Sequence, residues 1–256
     1  INIICVAVRL KSNRLKRKAL LDLNGVTLIE RLIERLLSEF QNDEICICTS
    51  RHEDDEPLVE IAKKYSLNFI AGEELDVMSR FIEIGNKKQA ENITRVTGDN
   101  PLTDPKIITQ MLLDHIKKGS DYTFCNQIPI GAGSEIVKFK TLKKLYSMLT
   151  DPNSSEYMTY MLNRPDLIKV NNFFVSDNSI IEPNLSLTVD NDDDYRFLRD
   201  IYNYFKVSDI SLQEVISFCR NHEKYSSRLV FNNQETPTIK GIDYSYINDK
   251  SSSSSF

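Results

Sequence analysis

Residues 1–18, INIICVAVRLKSNRLKRK, combine an apolar run with a dense group of cations. The run at positions 1–8 is continuous and rich in β-branched residues, which predicts a strand buried on both faces of a sheet. Positions 9–18 then carry six Lys or Arg residues. Open α/β sheets place their ligand at the carboxyl end of a central strand, so the charge indicates an anionic ligand, best a polyphosphate. A basic loop that only faces solvent stays open as the alternative.

Composition limits the class of protein. The chain has 256 residues, a net charge of −5 and eight glycines. The length suits one large α/β domain or a domain with an appendage, and the acidic balance argues against a nucleic-acid binder. There is no GxxxxGK[ST] or GxGxxG motif, which excludes a P-loop and a dinucleotide fingerprint. With no signal peptide and no apolar run long enough for a bilayer, we expect a cytoplasmic enzyme without membrane insertion.

Strand-like and helix-like segments alternate along the first half of the chain. The segments EICICTS, NFIAG and NITRVTG are apolar, whereas TLIERLIERLLSEF, DEPLVEIAKKYS and LDVMSRFIEIGNKKQ have helical spacing. This alternation predicts the α/β class, with a mainly parallel central sheet between two layers of helices. Cys46 and Cys48 in EICICTS are expected to pack as small apolar groups rather than to bind metal.

After Asn126 the pattern changes. We predict strands at SEIVKFK, LIKVNNFFV and LSLTV, and helices at SSEYMTYMLNRPD and DNDDDYRFLRDIYNYF. The expected organisation is a main domain, 1–206, followed by a C-terminal helix and polar tail, 207–256. Within the main domain, residues 127–183 form a small inserted region to which we assign acceptor recognition and a candidate homodimer contact.

Two acidic turns are predicted to face the cationic loop. Asp99 follows the predicted strand NITRVTG, and Asp190 follows the predicted strand LSLTV. In a parallel sheet both would emerge at the carboxyl edge, beside the loop. Two carboxylates facing a phosphate-binding loop are typical of a Mg²⁺–nucleotide site. Asp99 as a plain turn residue before Asn-Pro stays open, and for the acids at 192–194 we favour helix capping.

Several blocks of the sequence resemble one enzyme family. VAVRLKSNRLKRKALLDLNG resembles QARxxSxRLPGKxLxxLxG, RVTGDNPLTDP resembles RxTGDxPLxDP, and GEELDVMSRF resembles GxxxDVLxRY. GSEIVKF, SEYMTYML and SLTVDNDDDYRFL have counterparts in the same family. These are patterns of the cytidylyltransferases, which include acylneuraminate and Kdo cytidylyltransferases, and most closely of the spore-coat polysaccharide SpsF branch. The resemblance runs from about residue 3 to 206.

The resemblance implies an α/β nucleotidyltransferase (Rossmann-like) fold and a reaction. CMP would pass from CTP to a sugar, sugar acid or related acceptor, with Mg²⁺ as cofactor and pyrophosphate as product, in surface polysaccharide or glycan precursor synthesis. Carried over by position, it also implies site residues. They are Arg9, Ser12, Arg14 and Lys18 for the triphosphate, with Arg14 and Lys18 as catalytic cations; Arg80 and Asp99 on the nucleotide side; Asp99 and Asp190 for the metal; and Glu135, Glu156 and Tyr157 for the acceptor.

The chain departs from the family pattern at informative positions. Lys16 and Arg17 replace a Pro-Gly pair, so we expect phosphate to be held through side chains rather than backbone amides. Glu135 stands where Asp is usual, Val137 where Glu is usual and Tyr157 where His is usual, which indicates a different sugar. No histidine is placed as a general base. A GT-A-like glycosyltransferase using a nucleotide-sugar donor and a non-catalytic nucleotide-binding relative stay open as alternatives.

Overall fold

The computed structural model describes residues 1–11, 15–149, 151, 153, 158–207 and 209–229. Four predicted site residues, Ser12, Arg14, Glu156 and Tyr157, lie outside the described residues, and so does the part of the predicted polar tail from 230 to 256. Their assignments therefore stay predictions.

A seven-stranded sheet forms the centre of the described chain. Its strands are β1 (Asn2–Ala7), β2 (Ile45–Ser50), β3 (Asn68–Gly72), β4 (Asn92–Thr97), β5 (Tyr122–Phe124), β6 (Glu135–Lys138) and β7 (Val170–Asn172). Their order across the sheet is β3-β2-β1-β4-β6-β5-β7. Only β6 runs antiparallel to its neighbours, so the prediction of a mainly parallel sheet is confirmed.

Helices cover both faces of this sheet. Those described are α1 (Leu28–Leu36), α2 (Glu56–Lys64), α3 (Val77–Lys88), α4 (Pro105–Lys118), α5 (Phe139–Ser147), α6 (Met158–Leu162), α7 (Asp192–Phe205), α8 (Leu212–Asn221) and α9 (Glu223–Ser226). Among the described helices, none combines the length and apolarity needed to cross a membrane.

Alternate residues of β1 pack into two separate cores. Ile4 and Val6 join side chains of α1 and α2, whereas Ile3 and Cys5 join side chains of α3 and α5. A third core brings α4, α7 and α8 together against β6. Each β1 side chain points to the face opposite its neighbour, as a pleated strand requires. The result is the predicted three-layer αβα architecture.

The predicted strand LSLTV is wrong. Residues 185–189 lie outside every strand and form only one isolated bridge, between Ile130 and Ser186. Leu185, Leu187 and Val189 are fully buried, so their alternation reports burial rather than membership of a ladder. Asp190 therefore follows a buried loop segment and not a strand.

Other boundaries after Asn126 are shorter than predicted. The strand in SEIVKFK ends at Lys138, and α5 begins at once with Phe139. In LIKVNNFFV the strand is limited to the three residues of β7. Helix α6 ends at Leu162, four residues before the end of the predicted helical segment SSEYMTYMLNRPD, whose residues 154–157 lie outside the described part of the chain. Short edge elements are the ones whose ends sequence periodicity places least well.

Candidate active site

The cationic loop leaves β1 at its carboxyl end, as predicted, and two backbone hydrogen bonds fix it, one to Asp55 and one within the loop. The N–H of Leu10 donates to Asp55 Oδ1 at 2.7 Å, and the N–H of Arg17 donates back to the carbonyl of Leu10 at 3.1 Å. Asp55 is buried and also accepts from the Thr49 hydroxyl at 3.0 Å and the Ser50 N–H at 3.2 Å. Asp55 thus fixes the backbone at the start of the loop, a role that was not predicted from the sequence.

Arg17 occupies the left-handed region, with φ of 51° and ψ of 32°. This is the position where the family pattern has Gly, the residue for which a positive φ carries no steric cost. The loop therefore has a positive φ at a position where this chain carries arginine instead of glycine. The side chains of Lys16 and Arg17 are both exposed.

Lys18 lies between the two predicted metal carboxylates. Its Nζ donates to Asp99 Oδ2 at 2.7 Å, to the Val189 carbonyl at 2.8 Å and to Asp190 Oδ1 at 3.3 Å. An ammonium group has three N–H donors, so these three oxygens use all of them. The Lys18 side chain is 15% exposed, so solvent has only limited access to these ion pairs. The structure thus brings three predicted site residues together.

Backbone contacts hold the two carboxylates side by side. Gly98 connects β4 to Asp99, and a Cβ on this glycine would lie 2.5 Å from Val8 Cβ, so only glycine permits the close approach. The N–H of Val189 donates to the carbonyl of Asp99 at 3.0 Å. The buried loop before Asp190 is thereby fastened directly to the end of β4.

Asp99 and Asp190 form a donor set that suits a hard divalent cation. Both carboxylates already converge on one positive group, the Lys18 ammonium, and two carboxylates are a typical protein contribution to a Mg²⁺ site. In the described part of the chain there is no group of three or more His, Cys, Asp or Glu side chains with metal-binding geometry. A Mg²⁺ ion here would accordingly need further oxygens from phosphate or water.

Arg80 is a buried cation close to the same edge. It is 3% exposed, and its Nε makes no hydrogen bond within the part of the chain that the structure describes. Its stem packs on β3, where a Cβ on Gly72 would lie 2.7 Å from Arg80 Cγ. Burial lowers the pKa of the Arg80 guanidinium, and the nearby Arg9 cation also lowers it. A buried guanidinium N–H that lacks an acceptor is costly, which is typical of a ligand-binding group.

Glu74 pairs with two cations of the loop. Arg9 Nη1 contacts Glu74 Oε1 at 3.2 Å, and Lys11 Nζ contacts Glu74 Oε2 at 3.1 Å. Glu74 was not among the predicted site residues, although it lies two residues after β3, at the carboxyl edge of the sheet where ligands bind. The loop cations are therefore partly neutralised by the protein itself.

Glu135 starts β6 and is paired in register with Arg95 of β4. One Glu135 oxygen pairs with Arg95 Nη1, and the other accepts from the Tyr122 hydroxyl. Arg95 Nη1 also donates to the hydroxyl of Thr159 in α6 at 3.2 Å. The Glu135 side chain is only 12% exposed, so protein groups already engage both its oxygens. Its contact with an acceptor stays a prediction.

The family profile described as Cytidylyltransferase matches residues 3–204, well over half of the chain. The chain belongs to the cytidylyltransferase family. This cytidylyltransferase is therefore a nucleotidyltransferase enzyme. It is 29% identical over 231 residues to the spore coat polysaccharide biosynthesis protein SpsF of Bacillus subtilis, a match that covers 87% of this chain and 96% of SpsF. The predicted family and branch are confirmed.

Solved structures show the same fold. A cytidylyltransferase from Leptospira borgpetersenii superposes with a TM-score of 0.80 at 23% identity, covering 93% of this chain and 99% of that one. CMP:2-keto-3-deoxy-manno-octonic acid synthetase complexed with CTP gives 0.61 at 18% identity, covering 80% and 99%. A Mycobacterium tuberculosis protein in complex with manganese gives 0.54 at 14% identity, covering 78% and 97%.

Proposed function

We propose that this cytidylyltransferase transfers CMP from CTP to a sugar, sugar acid or related acceptor in a Mg²⁺-dependent reaction that releases pyrophosphate. We place the reaction in the cytoplasm, in the synthesis of surface polysaccharide precursors. The main support is the convergence of Lys18, Asp99 and Asp190 beside the cationic loop, in a chain similar to SpsF. The CTP complex of the octonic acid synthetase and the manganese complex add support for the nucleotide and for a divalent ion.

The cationic loop is proposed to bind the triphosphate. Arg9 and Lys11 both pair with the Glu74 carboxylate, and a triphosphate carries more negative charge than one carboxylate. Ser12 and Arg14 are assigned to the same loop by their family positions. Arg80, with a buried N–H that no described residue accepts, is proposed to donate to the acceptor edge of the cytosine base.

Asp99 and Asp190 are proposed to hold the Mg²⁺ ion. When bound, the ion would neutralise phosphate charge and lower the pKa of an oxygen near it. The chain's own residues orient the substrates: the loop cations hold the β- and γ-phosphates and offset the charge of the departing pyrophosphate. Catalysis then rests on aligning an acceptor oxygen with the α-phosphorus, as phosphoryl-transfer chemistry requires.

The acceptor is proposed to bind on the β6 side of the carboxylates. Glu135 pairs with Arg95 of β4, the strand whose carboxyl end leads to Asp99. Glu156 and Tyr157 are assigned to the acceptor by family position alone. We also assign a homodimer contact to residues 127–183, and sedimentation velocity tests it.

Pyrophosphate release tests the proposed function. With Mg²⁺ and a mixture of sugars and sugar acids, CTP should yield pyrophosphate. UTP should react about tenfold or more slowly, because each unsatisfied buried group costs about 1–3 kcal/mol. Asp99→Asn and Asp190→Asn are the controls: each should keep the circular-dichroism spectrum and lose turnover by orders of magnitude, since neutral amides bind Mg²⁺ poorly.

The alternatives give different results in the same assay. A glycosyltransferase would release a nucleotide from a nucleotide-sugar and no pyrophosphate from CTP. A non-catalytic relative would bind CTP without turnover. Equal rates with CTP and UTP would contradict the assignment of a cytosine-specific site.

A further inference from the structure

The last described segment of the chain packs against α7. This C-terminal segment consists of α9 and the turn Ser227–Leu229. The ring of Tyr225 lies 5.0 Å from the ring of Phe197, centroid to centroid, and Arg228 Nη1 donates to Asp194 Oδ1 at 3.0 Å. The segment lies beyond residue 204, where the match to the family profile ends.

Asp194 connects Arg228 to the candidate metal site. While its Oδ1 pairs with Arg228, its Oδ2 accepts the N–H of Asp190 at 3.0 Å and that of Asn191 at 3.1 Å. The backbone of Asp190 is thus fixed by the carboxylate of Asp194. On the other side, the neighbouring Val189 is fixed to Asp99. Asp190 is held from two directions, and one of them, the hydrogen bond of its own N–H, depends on Asp194.

Arg228 is well placed to hold Asp194 in one orientation. Its guanidinium carbon lies 4.4 Å from the centroid of the Phe197 ring, which restricts its motion and adds a cation–π contact. The side chains of Arg228 and Asp194 are 21% and 15% exposed, so solvent screens this pair only partly. Without Arg228, the Asp194 carboxylate would lose the partner of one oxygen and gain rotational freedom.

We propose that Arg228 is a positioning residue for the metal carboxylate Asp190 and that it acts through Asp194. The inference rests on the proposed function, which makes Asp190 a metal ligand. Groups that orient a ligating carboxylate typically change metal affinity by about 10–100-fold when removed. Arg228 contacts Asp194 and not the metal carboxylate Asp190 itself, so we expect a smaller loss of metal affinity.

The direction in which metal affinity changes distinguishes a positioning role of Arg228 from a purely electrostatic one. Arg228 is a cation near an anionic site, so its long-range field opposes the binding of another cation. If charge were its only influence, Arg228→Met would tighten metal binding. If Arg228 positions Asp190, the same substitution weakens metal binding, because the two carboxylates no longer converge.

Mn²⁺ binding followed by electron paramagnetic resonance, without nucleotide, tests the proposal. Arg228→Met, which keeps the apolar stem over Phe197, should raise the Kd for Mn²⁺ about three- to tenfold, and Arg228→Lys should recover part of the loss. Arg220→Met is the matched control, because Arg220 pairs with Glu182 at 2.9 Å in the same part of the chain without reaching the carboxylates. Its Kd should equal that of the wild type.

A double-mutant cycle covers the case in which Arg228→Met folds poorly. Asp194→Asn keeps an amide oxygen for the backbone N–H groups but loses the charge that Arg228 pairs with. Adding Arg228→Met to Asp194→Asn should cause no further loss of Mn²⁺ affinity. Full additivity of the two substitutions, an unchanged or lower Kd in Arg228→Met, or no Mn²⁺ binding by the wild type would each overturn the proposal. Pyrophosphate release by the wild type is measured separately, so a failure of the proposed function is distinguishable.

Discussion

Lys18 has partners other than those the sequence predicts. The family resemblance assigns it to the triphosphate, whereas its ammonium group contacts Asp99, Val189 and Asp190. The lysine side chain is flexible, so its ammonium group moves to the most negative environment that it can reach. Here that environment is formed by two carboxylates. A divalent ion bound to the same oxygens and this ammonium group would repel each other, so both cannot occupy the site together.

We therefore expect Lys18 to suppress metal binding when no nucleotide is bound. Lys18→Met should lower the Kd for Mn²⁺ alone by about tenfold, roughly 1.4 kcal/mol, because a competing cation is removed. Titration calorimetry without nucleotide measures this change. Lys16→Met is the control, since it removes the same charge from an exposed side chain of the same loop. Equal Mn²⁺ affinity in Lys18→Met and the wild type would contradict the competition.

At the scale of elements, the loop after β1 keeps a backbone shape that its sequence disfavours. Arg17 has φ of 51°, and a non-glycine residue in the left-handed region costs about 1 kcal/mol. Helix α1 begins with a capping box, which the Thr-x-x-Glu spacing of its sequence favours: Thr27 and Glu30 exchange hydrogen bonds. Burial by itself raises the pKa of Glu30, but hydrogen bonds from Lys64 and Thr27 lower it to about 2. Local signals therefore predict the helix start better than the loop.

Arg17→Gly should stabilise the protein. Glycine adopts a positive φ without strain, and we expect the free energy of unfolding to rise by up to about 0.5 kcal/mol after the entropy of the more flexible unfolded chain is counted. Urea denaturation measures the change. Lys16→Gly is the control, because Lys16 has no positive φ and should lose stability. A loss of stability in Arg17→Gly would contradict the strain argument.

For the whole molecule, stability should depend on the protonation of His115. This residue of α4 is 1% exposed, and its Nδ1 lies 2.8 Å from the hydroxyl of Thr123 in β5. Burial lowers the pKa of His115 to about 4, from an ordinary value of 6.5. Since the unfolded chain takes up the proton near pH 6.5 and the folded chain only near pH 4, acid favours unfolding in this window.

We expect the wild type to lose up to about 3 kcal/mol of stability through His115 as the pH falls from 6.5 to 4. His115→Gln does not titrate, so its stability should fall less over the same range. Urea denaturation at pH 7 and pH 5 measures the difference, with His52→Gln, at an exposed histidine, as the control. Parallel losses in the wild type and His115→Gln would show that His115 does not contribute.

Residues 1–18 and the alternation after them were sufficient to predict the fold class, because buried parallel strands and amphipathic helices leave strong local patterns. The prediction of a strand at LSLTV failed because a local pattern reports burial and not strand pairing. Leu185, Leu187 and Val189 alternate because they are buried, and burial alone does not require a partner strand. Asp99 and Asp190 were placed correctly at one edge although one of the two preceding strands is absent.

By itself, the amino-acid sequence determined the three-layer architecture, the cationic loop after β1 and the pair of acids that faces it. Each of these depends on residue types at short spacing, which a linear pattern retains. Only the tertiary structure decided the partners: Lys18 between the carboxylates, Glu74 on the loop cations and Arg228 on Asp194. Lys18 and Asp190 are 172 positions apart. Such contacts depend on how the packed helices and loops bring distant segments together, and no short stretch of sequence encodes that distance.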